Sequence, residues 1–232
     1  MPVLASSIIE RAATLIQDST YVRWTVAEWL NWLNDGQREV VMLAPDAYTL
    51  VADHTLVEGT LQSIPADGIR FVDTPRNMGL DGLTPGKAIR QVDRIVLDTQ
   101  RPDWHSEPAN ASVMHTVFDK RNPKKFYVYP PQPAVSQGHL ELVYSASPPE
   151  VSPSVNPPTD ITDFVAGDVL TIDDIRSNAL LNYMLYRAYS KDAEYAANAA
   201  LAAHYYKAFA TSLQAKEMVD AAVEPTPPPP NV

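Results

Sequence analysis

The apolar positions at the start of the chain recur at helical spacing. An α-helix has 3.6 residues per turn, so the first repeat predicts a helix with one face formed by Ile8, Ile9, Ala12, Leu15 and Ile16. A second helix is predicted after Thr25, because Thr25 and Glu28 have the spacing of a capping box. Its stripe of Trp29, Trp32, Leu33, Val40 and Leu43 ends before Pro45.

The middle of the chain alternates apolar and polar residues, which is typical of strands. The predicted strands are centred on Ile69 and Phe71, on Ile89, Ile95 and Leu97, on Val113 to Val117, on Phe126 to Tyr129 and on Leu140 to Tyr144. Prolines punctuate them, and Pro130 is expected to end the fourth. This spacing indicates a small antiparallel sandwich or barrel.

The chain returns to helical spacing near its end. Asp173 and Asp174 suit a helix N-terminus, where the helix dipole favours anions. Ser190 is a plausible cap for a further, alanine-rich helix. The tyrosines of these helices, such as Tyr183, Tyr186 and Tyr205, are interpreted as helix seams.

The proline distribution supports this division. Most of the 21 prolines lie between Pro45 and Pro158, and none lies between Thr159 and Glu224. We therefore predict an α+β fold in which N-terminal helices (1–45) and C-terminal helices (161–224) form one bundle. An antiparallel β-sandwich or barrel-like domain (46–160) is inserted between them, and a proline-rich extended tail (225–232) follows.

The composition of the chain excludes several classes of site and function. The 232-residue chain has no cysteine, which excludes disulfides, zinc-thiolate sites and a thiol nucleophile. Its formal charge of −10 disfavours a broad basic face for duplex DNA. No stretch approaches the ~20 apolar residues that span a bilayer, and no signal peptide is recognised at the start, so synthesis in the cytoplasm is expected.

Motifs for catalysis or for cofactors are not recognised. The five histidines form no metal-binding pattern, and Asp103 and His105 are interpreted as a loop pair rather than a site. The glycine-rich stretch 79–86 lacks the Gly-Lys-Ser/Thr ending of a phosphate loop and is interpreted as a flexible surface loop. No catalytic, metal or cofactor-binding residue is therefore predicted.

Two segments are candidates for binding a partner. The first is a basic cluster at the tip of a predicted hairpin, formed by Lys120, Arg121, Lys124 and Lys125. It is either a solvated tip or a contact for an acidic neighbour. The second is the tail, with Pro225, Pro227, Pro228, Pro229 and Pro230, which should favour polyproline II.

Several stretches together resemble the head-to-tail adaptors of short-tailed bacteriophages, also called tail tubular protein A. In the helical parts they are 23–25, 29–31 and 185–196 with the alanine-rich run to Tyr205. In the β part they are 92–94, 102–105, 117–119, 126–131 and 142–149. The resemblance extends from about Ile8 to Phe209.

The resemblance implies a structural role in the virion tail. Such adaptors form a ring, typically twelve-fold, between the portal protein and the tail nozzle, with tail fibres as a further possible contact. DNA passes through the ring without specific binding. The C-terminal segment often reaches onto the portal, and the family brings no catalytic residues.

Two other functions stay open from the residues. One is a tail-associated enzyme that degrades polysaccharide, which would need two carboxylates facing each other across a cleft. The other is a β module that binds a glycan or receptor through its hairpin loops.

Overall fold

A computed structural model describes residues 2–192, 194 and 196–223. They form a mixed α+β fold, which confirms the predicted class. The helices are α1 (Ala5–Leu15), α2 (Val26–Leu43), α3 (Arg94–Gln100), α4 (Ser177–Lys191) and α5 (Ala196–Val223). The strands are β1 (Thr49–Thr55), β2 (Gly59–Ser63), β3 (Gly68–Asp73), β4 (Arg76–Met78), β5 (Pro85–Ala88), β6 (Arg90–Gln91), β7 (His115–Phe118), β8 (Lys125–Gln132) and β9 (His139–Ala146).

The chain divides into two compact units. A β unit comprises Tyr48–Ser147, and a helical unit comprises the chain up to Ala47 and from Pro148 onward. The sequence predicts the boundaries at 45/46 and 160/161. In the structure, residues 148–160 belong to the helical unit instead of the β unit. These residues carry no strand, and Val151 lies in the core of that unit.

The helical unit is built around tryptophans of α2. The predicted capping box is present, since Thr25 accepts the Glu28 amide and the Glu28 carboxylate accepts the Thr25 amide. It starts α2 so that Trp29 and Trp32 face inward, with ring centroids 5.1 Å apart. The core also takes residues from α1 and α4, including Ile8, Ile9, Leu180 and Met184.

Aromatic pairs join α4 to α5. The ring centroids of Tyr183 and Phe209 are 5.3 Å apart, and those of Tyr189 and Tyr205 are 5.6 Å apart. The interpretation of these tyrosines as helix seams is therefore confirmed. The predicted cap at Ser190 is wrong, because Ser190 lies inside α4 and α5 begins at Ala196.

The β unit contains two sheets. One has the order β1-β9-β4-β5, with β3 also paired to β9, and the other has the order β2-β8-β7-β6. The pairs are antiparallel except β6 with β7, which is parallel. The sheets pack through buried aromatic rings. Phe71 of the first sheet stacks on Phe126 of the second, with centroids 4.8 Å apart.

The prediction of strands needs correction in three respects. Ile95 and Leu97 lie in α3 instead of a strand, because the Asp93 side chain accepts the Ile95 amide and starts a helix. Strands β1, β2, β4 and β5 were not predicted, since no long apolar alternation marks them. Strand β8 continues past Pro130 to Gln132, and its pairing with β2 shifts register there, which accommodates residues without an N–H.

Candidate functional site

The basic cluster lies at the tip of the hairpin between β7 and β8, as predicted. Val117 pairs with Tyr127 and Phe118 with Phe126. Asp119 then organises the turn, because its carboxylate accepts the Arg121 amide at 2.9 Å and its carbonyl accepts the Asn122 amide at 2.9 Å. This turn leaves Lys120, Arg121, Lys124 and Lys125 exposed.

The base of the tip is fixed by backbone hydrogen bonds from neighbouring strands. The Phe71 amide donates to the Pro123 carbonyl at 2.8 Å, and the Ile64 amide donates to the Lys124 carbonyl at 3.1 Å. The turn therefore cannot shift independently of the core beneath it. Four cations are held at a defined place on the surface of the β unit.

The cations of the tip are almost free of local neutralisation. Arg121 lies 4.0 Å from Asp119, and its side chain is 94% exposed, so this pair contributes little. Within the part of the chain that the structure describes, Lys120, Lys124 and Lys125 form no ion pair. Their charge is available to an outside partner.

An open groove of about 820 Å³ runs beside the tip, and we call it the basic groove. Its lining combines apolar and charged side chains: Val92, Arg94, Ile95, Phe118, Lys120 and Arg121, with Gln91, Asp93 and Asp119. Ile95 is 71% exposed, although it is a large apolar side chain. Ile95 thus adds apolar surface to a groove whose other lining side chains include three cations and two aspartates.

Helix α3 forms one wall of the basic groove, and a small core holds it in place. Leu97 of α3 packs with Trp104, Val117 and Tyr129. The Trp104 indole donates to the Asp98 carboxylate at 2.9 Å. Because Leu97 points inward, Ile95 two residues earlier points outward into the groove.

Burial, together with the nearby Arg94 charge, lowers the pKa of His105. Its Nδ1 lies 2.8 Å from the Thr60 hydroxyl, and its ring stacks on Trp104. His105 is therefore neutral at pH 7 and adds no positive charge to this region. Asp103 does not bond to His105, which agrees with the interpretation of the two as loop residues.

The other histidines serve local contacts. The His115 ring stacks on its cross-strand partner Tyr129, as expected for a histidine in a strand. His139 bonds the Asp53 carboxylate at 3.0 Å. Among the described residues, no group of three or more His, Asp or Glu side chains is arranged to hold a metal ion.

The stretch 79–86 is a loop only in part: residues 79–84 link β4 to β5, and Pro85 and Gly86 belong to β5. The Asp81 carboxylate accepts the Leu83 and Thr84 amides and the Thr84 hydroxyl, which lowers the Asp81 pKa to about 2. The loop is therefore an ordered acidic turn. The proline-rich tail lies outside the described residues. No described helix has the length and apolar character to cross a membrane.

A family model described as SU10 adaptor protein matches residues 4–228. The chain belongs to the SU10 adaptor protein family. The match includes both units and nearly the whole sequence. It makes the protein a structural head-to-tail adaptor of a phage, and hence a virion component. No curated protein matches the chain.

The candidate partner-binding features of the adaptor are only partly visible in its sequence. The cationic tip follows from charge and turn residues. The apolar side of the basic groove is not visible in the sequence pattern, because Ile95 with Ile89 and Leu97 predicts a strand there. The signal that could have found it is Asp93 followed by Arg94 and Asp98, a cap and an i,i+4 ion pair that indicate a helix.

Proposed function

We propose that the adaptor assembles as a ring between the portal and the tail nozzle, in the manner of tail tubular protein A. The family match over residues 4–228 is the observation that carries the proposal. Twelve-fold symmetry is the stoichiometry expected from the resemblance. The ring forms the conduit through which the genome leaves the capsid.

The negative net charge of the chain supports its role in a conduit for DNA. The chain carries a formal charge of −10, and this charge is repeated in every subunit around the ring. Like charge repels the phosphate backbone, so the duplex can slide without being held.

Exposed cations support a subunit or nozzle contact through the basic tip. A closed ring uses heterologous interfaces, so each subunit needs two different complementary surfaces. Lys120, Arg121, Lys124 and Lys125 provide a compact positive surface on an otherwise acidic chain. We assign them to an interface in the assembled tail.

The proline-rich tail is assigned to the portal. Pro225, Pro227, Pro228, Pro229 and Pro230 favour an extended chain with little conformational entropy to lose on docking. Such a segment can bind a groove along its length.

The test is reconstitution of the adaptor with purified portal rings of the same phage. Electron microscopy should reveal an added ring below the portal, and native mass spectrometry should give its copy number. Addition of nozzle protein should then extend the particle. An adaptor that never associates with portal, at any concentration tested, would refute the proposal.

A further inference from the structure

The same chain carries an acidic surface that could pair with the basic groove of a second copy. No Lys or Arg occurs between Lys125 and Arg176. Within that interval, residues 159–168 form a partly exposed loop of the helical unit with three aspartates, of which Asp160 is exposed and Asp163 and Asp168 are half-buried. We call it the acidic loop.

Hydrogen bonds to these aspartates give the acidic loop a defined shape. Asp163 Oδ2 accepts the Thr159 amide at 2.7 Å and the Asp160 amide at 3.0 Å. Asp160 Oδ1 accepts the Thr162 amide at 2.9 Å. Asp168 Oδ2 accepts the Val165 amide at 2.8 Å.

The negative charge of the acidic loop stays available. Each aspartate uses one carboxylate oxygen inside the loop, and none of the three forms an ion pair with a described residue. Backbone amides lower the pKa of both Asp160 and Asp163, so both are ionised at neutral pH.

The acidic loop also offers an apolar side chain between its charges. Ile161 and Phe164 pack against the core of the helical unit and anchor the loop. Val165, between Asp163 and Asp168, is 55% exposed. An apolar side chain flanked by carboxylates complements the basic groove, where the exposed Ile95 shares the lining with three cations and two aspartates.

From this complementarity we infer that the acidic loop of one adaptor subunit docks in the basic groove of a second copy. The two surfaces differ and lie on different units of the chain, so the contact is heterologous and can close into a ring. The inference rests on the proposed ring and names its subunit contact. A groove lined partly by apolar side chains such as Ile95 suits a protein loop better than a DNA backbone.

Cysteine trapping tests the contact directly, because the chain has no native cysteine. Asn122→Cys marks the tip, and Gly167→Cys marks the loop, where a Cβ meets no atom within 4 Å. Subunits carrying one change each are mixed, assembled on portal and oxidised. A covalent dimer containing both is expected, and a chain with both changes should give a ladder of oligomers.

The matched control pairs Gly167→Cys with Lys87→Cys, an exposed position on β5 of the same unit as the tip. If rings form but the tip pair gives no more dimer than this control, the inference fails and the proposed ring stands. If the unsubstituted adaptor never forms rings on portal, the proposed function fails and the inference fails with it.

A charge swap tests the chemistry without changing the aspartates that shape the loop. The tip variant is Lys120→Glu with Lys124→Glu, and the loop variant is Val165→Lys with Ala166→Lys. Each alone should raise the concentration needed for assembly at least about tenfold, because like charges meet. An equal mixture should restore assembly. When the two variants alternate around the ring, every contact joins a positive surface to a negative one.

Failure of the mixture to restore assembly would overturn the inference. So would a tip variant that assembles normally but retains less DNA, which would assign the groove to nucleic acid.

Discussion

The side-chain amide of Asn34 forms a two-way hydrogen bond with the backbone of Val151. Asn34 Nδ2 donates to the Val151 carbonyl at 3.1 Å, and the Val151 amide donates to Asn34 Oδ1 at 2.9 Å. Asn34 lies in α2, before the β unit, and Val151 lies in the segment that follows it. The buried amide thus holds the returning chain in the core of the helical unit.

Asn34→Leu should therefore destabilise the helical unit. The change leaves the Val151 N–H and C=O buried without partners, at a cost of about 1–3 kcal/mol for each unsatisfied group. Urea unfolding followed by tryptophan fluorescence measures it. Asn31→Leu, an exposed position on the same helix, is the control and should change the free energy of unfolding by less than about 0.5 kcal/mol. Equal effects of the two changes would contradict the role given to Asn34.

Gly36→Ala should be destabilising, although alanine favours helices by about 1 kcal/mol over glycine. A Cβ at position 36 of α2 would lie 2.5 Å from Leu180 Cδ1 and 2.8 Å from Tyr183 Cδ1. Both belong to α4, and both side chains are buried, so neither can move away without disturbing the core. A fall of several degrees in the thermal midpoint is expected.

The matched control for this change is Gly167→Ala. A Cβ at Gly167 meets no atom within 4 Å, so its effect should be small. A Gly36→Ala variant with a raised thermal midpoint would show that the close approach of α2 and α4 relaxes at no cost.

Burial lowers the pKa of His54, with Asp53 opposing the shift and His139 adding to it. The unfolded chain therefore binds a proton more readily than the folded β unit does. The stability that the neutral His54 contributes is fully present above its ordinary pKa of 6.5. It is lost as pH falls from there through the lowered pKa of the folded state. His54→Gln should flatten this dependence, measured by urea unfolding between pH 7.5 and 5. The control is His204→Gln, an exposed position on α5; an equal flattening there would contradict the assignment.

Deletion of residues 225–232 should weaken docking on the portal and leave the thermal midpoint unchanged. The reason is that a polyproline segment contributes a docking strand rather than a core. Binding to immobilised portal measures the first quantity, and calorimetry measures the second. A tail of the same length built from Gly and Ser separates stiffness from length, and it should bind more weakly than the native tail. A large fall in the midpoint of the deletion variant would place the tail in the folded core instead.

Local chemistry explains what could be predicted from the sequence. The Thr25 capping box, the helical stripe of α2 and the turn at Asp119 depend on residues within a few positions of one another. The strand predicted at Ile95 is wrong because a short apolar run fits the period of a helix as well as that of a strand. The cap at Asp93, also a local feature, favours the helix. Strands β1 and β2 were missed because long-range pairing with β9 and β8, rather than a strong local pattern, stabilises them.

The sequence by itself determined the α+β class, the succession of a helical start, a β middle and a helical end, the cationic tip and, through its ordered motifs, the resemblance to phage adaptors. These follow from periodicity, proline placement and charge, all of which are properties of neighbouring residues. Only the tertiary structure decided that Asn34 holds Val151, that Ile95 stays exposed beside the cations, and that three aspartates share one ordered loop. Each of these depends on backbone hydrogen bonds and core packing that no short stretch of sequence contains.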